Sequence, residues 1–258
     1  MYSAKSIAAT GLKNQQLRLD SIAHNVANVN TVGFKTKRLD FKDALYVTGL
    51  TPAKARSPGE NQQKGHGVMV AHIVRNFRPG NLVSTGHPFD LSIEGEGFFS
   101  LRSPSGEIVY TRNGNKSLSV EEDGSYFVNS EGFYFLDREG NRIAMPPEAT
   151  NFAVDIDGTI RFLNGPEEVG RTFLGVFTFQ NLHGLAALGD ANYMHDVAAG
   201  DRFLATDAVV RQGFLEGSNV DLGEEMTRII RTQRAYQLAS RALTTADEME
   251  GVANNMKR

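Results

Sequence analysis

The chain has 258 residues, no cysteine, no tryptophan and a formal net charge of −3. Without cysteine there is no disulfide, thiol nucleophile or Cys-based zinc site. Scattered basic residues in a slightly acidic chain argue against a nucleic-acid partner or docking on an anionic membrane. No run of about 18 apolar residues occurs, so membrane insertion is not expected. Residues 1–12 are amphipathic and polar, so a cleaved secretory signal is not expected either.

Residues Ser3 to Val29 read as a helix, because Leu12, Leu19, Ile22 and Val26 recur at helical spacing with Ala8, Gln15 and Val29. Asn28, Asn30 and Gly33 stop it, and Gly33 suits the positive-φ position after a helix end. Lys35, Lys37 and Arg38 then read as a solvated turn, and Leu39 to Tyr46 as a short extension. From Thr48 to Gly67 the composition shifts to Pro52, Pro58, Gly59, Gly65 and Gly67 among polar residues, an extended loop or linker. A structureless stretch of that length is uncommon in a compact domain, which marks it as a contact element or a moving one.

Val68 to Phe214 reads as β structure: short alternating or apolar runs separated by Ser105-Gly106, Asn113-Gly114, Asp123-Gly124, Glu139-Gly140 and Asp157-Gly158. That spacing predicts antiparallel sheet, as a sandwich or a barrel. Leu174 to Phe179 is the expected core strand, and Leu185 to Leu188 reads as a turn. The last helix begins at Asp221, an N-cap residue with Glu224 three places on, a variant of the capping box. One row of its residues is Leu222, Met226, Ile229, Gln233, Tyr236, Ser240 and Leu243. A second is Ala235, Ala239, Ala242, Ala246, Met249, Ala253 and Met256, in the 4-3 rhythm of a coiled-coil seam. At about 1.5 Å per residue the helix is about 50 Å long and needs a partner for its stripe. The expected class is therefore α+β. The N- and C-terminal helices (1–47 with 215–258) pair as a coiled-coil stem, 48–67 is an extended loop, and 68–214 is a mainly antiparallel β outer domain.

No catalytic constellation emerges. The six histidines show no metal-ligand spacing. Gly95-Glu96-Gly97 lacks the third glycine and following helix of a dinucleotide turn, and reads as a hairpin turn before Phe98 and Phe99. Asp90 and Glu94 read as solvated acids rather than a carboxylate pair. No catalytic, cofactor or metal residues are assigned, and an enzyme ranks third. A secreted β-domain binding module on a coiled-coil stalk ranks second, although no tryptophan is present to line a glycan pocket.

Five ordered blocks carry a resemblance. Asn25-Val26-Ala27-Asn28-Val29-Asn30-Thr31-Val32-Gly33-Phe34-Lys35 resembles the signature that ends the first helix of flagellar rod and hook proteins. Leu91 to Phe99, with Gly95, Gly97 and Phe98, resembles the family's central turn, and Tyr110-Thr111-Arg112-Asn113-Gly114 resembles a second turn. Gln212 to Val220, including Asn219 and Val220, resembles the entry to the last helix, and Gln233-Arg234-Ala235-Tyr236 with Thr245 to Met249 completes the set. The intact QRAY block and the chain length look most like a distal rod member, with a proximal rod member as the alternative. The resemblance implies export through the flagellar type III apparatus and polymerisation with itself into a helical tube in the basal body, outside the cytoplasmic membrane. It implies contacts with other rod proteins, the hook protein and any surrounding bushing rings. The residues expected to form assembly seams are Leu12, Leu19, Ile22, Val26, Met226, Ile229, Tyr236, Ala239, Leu243, Ala246 and Met249.

Overall fold

A computed structural model describes residues 2–44, 47–48, 63–64 and 67–256. The chain forms two compact units. The first comprises Met1–Ala27, Lys37–Arg75 and Asp221–Arg258; the second comprises Asn28–Thr36 and Asn76–Val220.

The first unit is built on two helices, α1 (Tyr2–Ala27) and α2 (Leu222–Asn255). Asp221 caps α2 as its sequence predicts, its side chain accepting from the Glu224 amide at 3.0 Å. The helices run antiparallel. Lys5 near the start of α1 pairs with Asp247 and Glu250 near the end of α2, and Asn25 near the end of α1 donates to Glu225 at 3.4 Å. The expected short extension after α1 is instead a strand, Lys37–Asp43, antiparallel to Val68–Arg75, with a register shift between Asp40 and Phe41. Two α1 asparagines hold this ribbon. Asn25 bonds both the amide (3.0 Å) and the carbonyl (2.9 Å) of Lys37, and Asn14 donates to the Val68 carbonyl. Residues 68–75 therefore pack with the helices, which differs from the expected start of the β domain at 68. Val47–Thr48 pairs with Gln63–Lys64 at the base of the expected loop; the remainder of that loop lies outside the described residues.

The second unit is antiparallel throughout. Its largest sheet runs Ala144–Met145, Gly124–Val128, Tyr134–Phe135, Phe98–Arg102, Ile108–Thr111, Asn192–Met194, Ala186–Gly189. Val176–Phe179 bonds to one end of Phe98–Arg102 and to Arg202–Leu204. A second sheet has Asn151–Val154, Thr159–Asn164 and Glu167–Phe173, and two further pairs join Leu91–Glu94 to Val209–Gln212 and Leu82–Ser84 to Phe214–Glu216. The expected turn at Leu185–Leu188 is a correction: Ala186–Gly189 is a strand. Its real turn is Asp190-Ala191, both at positive φ (45° and 59°), the backbone shape of a tight hairpin.

Adjacent residues of a strand face opposite ways, so the Phe98-Phe99 pair feeds two cores. Phe99 packs with Leu91, Ile93, Leu101, Phe127, Phe135 and Phe162; Phe98 packs with Tyr110, Phe177, Phe179 and Tyr193. The predicted strand at Leu174–Phe179 behaves likewise, with Leu174 and Val176 in the first core and Phe177 and Phe179 in the second.

One cation is enclosed at the first core. The Lys116 ammonium lies 4.5 Å from the Phe127 ring centroid and 4.9 Å from that of Phe152 and makes no hydrogen bond among the described residues. Burial pushes its pKa down to about 7, opposed by the nearby Asp90 carboxylate. Asp90 itself is buried and accepts from Asn115 at 3.1 Å, which corrects its reading as a solvated acid. Glu94 is exposed and pairs with Arg211 at 2.6 Å.

The Lys116 pKa lies below its unfolded value, so between about 7 and 10.5 the unfolded chain binds more protons. Stability therefore rises with pH across that window and is lowest below it. Lys116→Met is expected to stabilise the folded chain at pH 6 by about 1–3 kcal/mol and to flatten this rise. Urea unfolding of the two proteins from pH 6 to pH 10 checks it; an unchanged pH slope would contradict it.

Candidate functional site

The expected seam residues fall into two groups. Ile22 is buried and Leu12, Leu19 and Val26 are half-buried on α1; Ile229, Ala239, Leu243 and Ala246 are half-buried on α2. Met226, Tyr236 and Met249 are exposed. The 4-3 row of α2 divides. Ala239, Ala246 and Ala253 are half-buried, whereas Ala242, Met249 and Met256 are exposed. The exposed set continues a second heptad row on the adjoining face of the helix: Leu238, Ala242, Thr245, Met249, Val252 and Met256, spaced 4-3-4-3-4, with Ala242 at its edge beside α1. Leu238 is 66% exposed, Met249 59%, Val252 58% and Met256 78%, an apolar stripe with no partner among the described residues.

The other half of the helix pair is polar inside. Asn25, Glu225 and Thr232 are buried there, and Glu225 is held by Arg228 at 2.8 Å as well as by Asn25. Burial pushes the Glu225 carboxyl up, against the pull of Arg228. A buried polar group in a helix seam costs stability and fixes register.

In the second unit, the motif blocks converge on one buried ion cluster. Lys35 Nζ donates to Glu216 Oε1 at 2.5 Å, and Arg112 Nη1 donates to Glu216 Oε2 at 3.1 Å. The Lys35 and Glu216 side chains are fully enclosed and that of Arg112 nearly so. Further contacts go to main chain, and Arg112 Nε has no hydrogen-bond partner among the described residues. Lys35 donates to the Arg78 carbonyl (2.9 Å), Arg112 to the Ile93 (3.2 Å) and Gly95 (2.7 Å) carbonyls, and the Gly80 amide to Glu216 Oε1 (2.9 Å). The Arg112 guanidinium also lies over the Phe98 ring at 5.4 Å. Burial holds the Lys35 pKa below its ordinary value, more than the Glu216 carboxylate lifts it. Lys35 is thus not the solvated residue its sequence context suggests.

The surrounding motif residues make this packing possible. Gly33 has φ +69°, and a Cβ there would sit 2.9 Å from the Arg112 carbonyl carbon, so glycine is required twice over. Its amide donates to the Glu216 carbonyl at 2.7 Å. Phe34 is buried, and Thr31 donates to Asn28 at 3.1 Å, closing the turn before it. Asn219 accepts from the Thr36 amide (2.8 Å) and donates to the Asn76 (2.7 Å) and Arg78 (2.9 Å) carbonyls. Val220, next to it, is half-buried. At Gly97 a Cβ would come within 2.8 Å of Val176 Cγ1. Lys35, Arg112 and Glu216 were absent from the expected site residues. The available signal was that two of the blocks, Asn25 to Lys35 and Tyr110 to Gly114, each carry one cation and a third, Gln212 to Val220, carries one acid.

Removing one member of such a cluster strands a charge in a dry interior, a loss of about 3–5 kcal/mol. Lys35→Met and Glu216→Leu are each expected to destabilise the chain by that amount. Denaturant unfolding checks it, and a loss below about 1 kcal/mol would contradict it.

Residues 6–35 match the family described as flagella basal body rod protein. Residues 92–162 match the flagellar hook protein FlgE/F/G D1 domain, and residues 211–256 match the flagellar basal body rod FlgEFG protein C-terminal domain. A flagellar basal-body rod protein FlgG of Borreliella burgdorferi is 35% identical over 100% of both chains. One of Caulobacter vibrioides is 36% identical over 94% of both, and the same organism's flagellar basal-body rod protein FlgF is 33% identical over 90% of this chain and 88% of its own. With similarity of this extent, and with the matched segments meeting at one buried cluster, the chain belongs to the flagellar basal-body rod protein family.

Proposed function

We propose that the chain is a subunit of the distal rod, polymerising through its terminal helices into the helical shaft that transmits torque from motor to hook. As a member of its family it is a structural protein of the flagellar basal body, outside the cytoplasmic membrane, and not an enzyme. The observation that carries the polymer reading is the outward stripe of α2. Ala239 and Ala246 face the intrachain side while Leu238, Met249 and Val252 stay exposed, so one helix offers a satisfied seam and an open one. Where the open seam meets a different surface of the next copy the contact is head-to-tail, and a head-to-tail contact that does not close yields a filament. The distal assignment is supported by relatives named FlgG that match nearly end to end. A proximal position is the alternative, favoured by the FlgF relative that also covers most of the chain.

In this reading the partners are other copies of the chain, the neighbouring rod proteins and the hook protein, with the flagellar type III apparatus as exporter and bushing rings around the shaft. The segment 48–67 serves as an extended contact that locks neighbours and stiffens the shaft. Its deletion between the Val47–Thr48 and Gln63–Lys64 pair is expected to give a more bendable tube, and unchanged bending stiffness in electron micrographs would refute that role.

The double variant Leu238→Asp/Met249→Asp tests the open seam. Both positions are exposed, so each substitution is expected to change monomer stability by less than about 0.5 kcal/mol. Sedimentable polymer should be lost, and cells carrying the variant should stop building at the rod. Normal polymer and normal motility would rule the seam out.

A further inference from the structure

The first unit also carries a charged groove that the apolar stripe does not explain. It lies between α1, α2 and the strand Lys37–Asp43 and has a volume of about 450 Å³. Five cations line it: Arg18, Lys37, Arg38, Arg228 and Arg231. Two carboxylates line the groove with them, Asp40 paired to Arg38 at 2.9 Å and Glu225 to Arg228 at 2.8 Å, and Glu224 holds Arg228 as well at 2.5 Å. Arg18 stacks over Phe41 at 4.7 Å, and among the described residues no carboxylate lies within ion-pair distance of Arg18, Lys37 or Arg231. The positive field is felt by neighbours. His24 is held below its ordinary pKa by burial and then by Lys37 and Arg75, and Lys37 by burial and Arg75.

The opposite end of the same helix pair is acidic. The last turns of α2 carry Asp247, Glu248 and Glu250 against Lys5, which binds the first and third and leaves Glu248 exposed. Arg231 and Glu248 stand on one continuous helix, about 25 Å apart along its axis. We propose that the groove receives the acidic last turns of α2 from a second copy of this chain, with Glu248 docking on Arg231 and its neighbours Arg18 and Lys37.

This rests on the polymer reading and gives it a direction. Each copy has one groove and one acidic end on a shared axis, so the contact is head-to-tail and repeats from copy to copy. Arginine supplies paired N–H donors for carboxylates, which favours this pairing over a diffuse attraction. Groove-to-groove contact would oppose like charges, so copies stack with one polarity only. Another exposed acidic run, Glu122-Asp123 in the turn before Gly124, is the competing occupant.

The test uses the purified full chain and sedimentation across a concentration series. Arg231→Glu and Glu248→Lys are each expected to raise the concentration needed for polymer about tenfold, and the double variant to return it to within about threefold of wild type. Wild-type polymer should weaken as salt rises from about 0.05 to 0.5 M. Glu248 is exposed near the helix end, so loss of assembly in Glu248→Lys with an unchanged thermal melt cannot be a folding defect. A double variant no better than the worse single would overturn the docking. So would an effect of Arg231→Glu without one of Glu248→Lys, which points to the competing acidic run. A wild-type chain that stays monomeric throughout would overturn the polymer reading itself.

Discussion

Everything in the second unit depends on a single carboxylate, Glu216, holding two cations that arrive from distant parts of the chain. Lys35 comes just after the first helix and Arg112 from the tip of a hairpin, while Glu216 stands just before the last helix. Asn219 adds a second clasp, tying residue 36 to residues 76 and 78. The chain thus enters and leaves this unit at neighbouring points, fixed by charges that have no solvent to relax into. A buried ion cluster of this kind is weak as a source of stability and strong as a constraint on geometry. Its loss strands charges, so small departures from the arrangement are penalised steeply.

That constraint explains why the recognisable sequence blocks are what they are. Gly33 is needed because the backbone must pass against Arg112 in a left-handed conformation. Gly95 offers its carbonyl to Arg112, and Phe98 lies under the same guanidinium. Four blocks that look independent along the chain are the walls and contents of one small volume.

Much of the fold was readable from spacing: the Asp221 cap, the long last helix, the antiparallel strands and the core role of Leu174 to Phe179 all follow from periodicity and turn residues. What spacing could not give was phase. The alanine row of α2 has a perfect 4-3 rhythm and its Ala239, Ala242 and Ala246 face Ile7, Ala8 and Gly11 of α1, yet Met249 and Met256 at its end are exposed, because two seams adjoin on one helix. Charges were the other blind spot. Lys35, Asp90 and Lys116 read as solvated or went unremarked because burial of a charge depends on partners far away in sequence, and nothing local to these residues reports it. The strand at Ala186–Gly189 was missed for a simpler reason: its turn, Asp190-Ala191, lacks a glycine at the positive-φ positions.

The first unit has the opposite character to the second. Its helix pair is closed by small apolar residues at one end and by Asn25, Glu225 and Thr232 at the other, and it leaves a hydrophobic stripe and a basic groove uncovered. The central claim is that the stripe is filled by another copy. Because the chain has no native cysteine, Met249→Cys and Ala246→Cys each give a single thiol, one on the open seam and one on the closed seam. Maleimide labelling of each, before and after assembly, reads the claim directly. The thiol at position 249 is expected to react rapidly in the monomer and to be blocked in the polymer, with position 246 slow in both. Equal reactivity at position 249 in monomer and polymer would contradict the account.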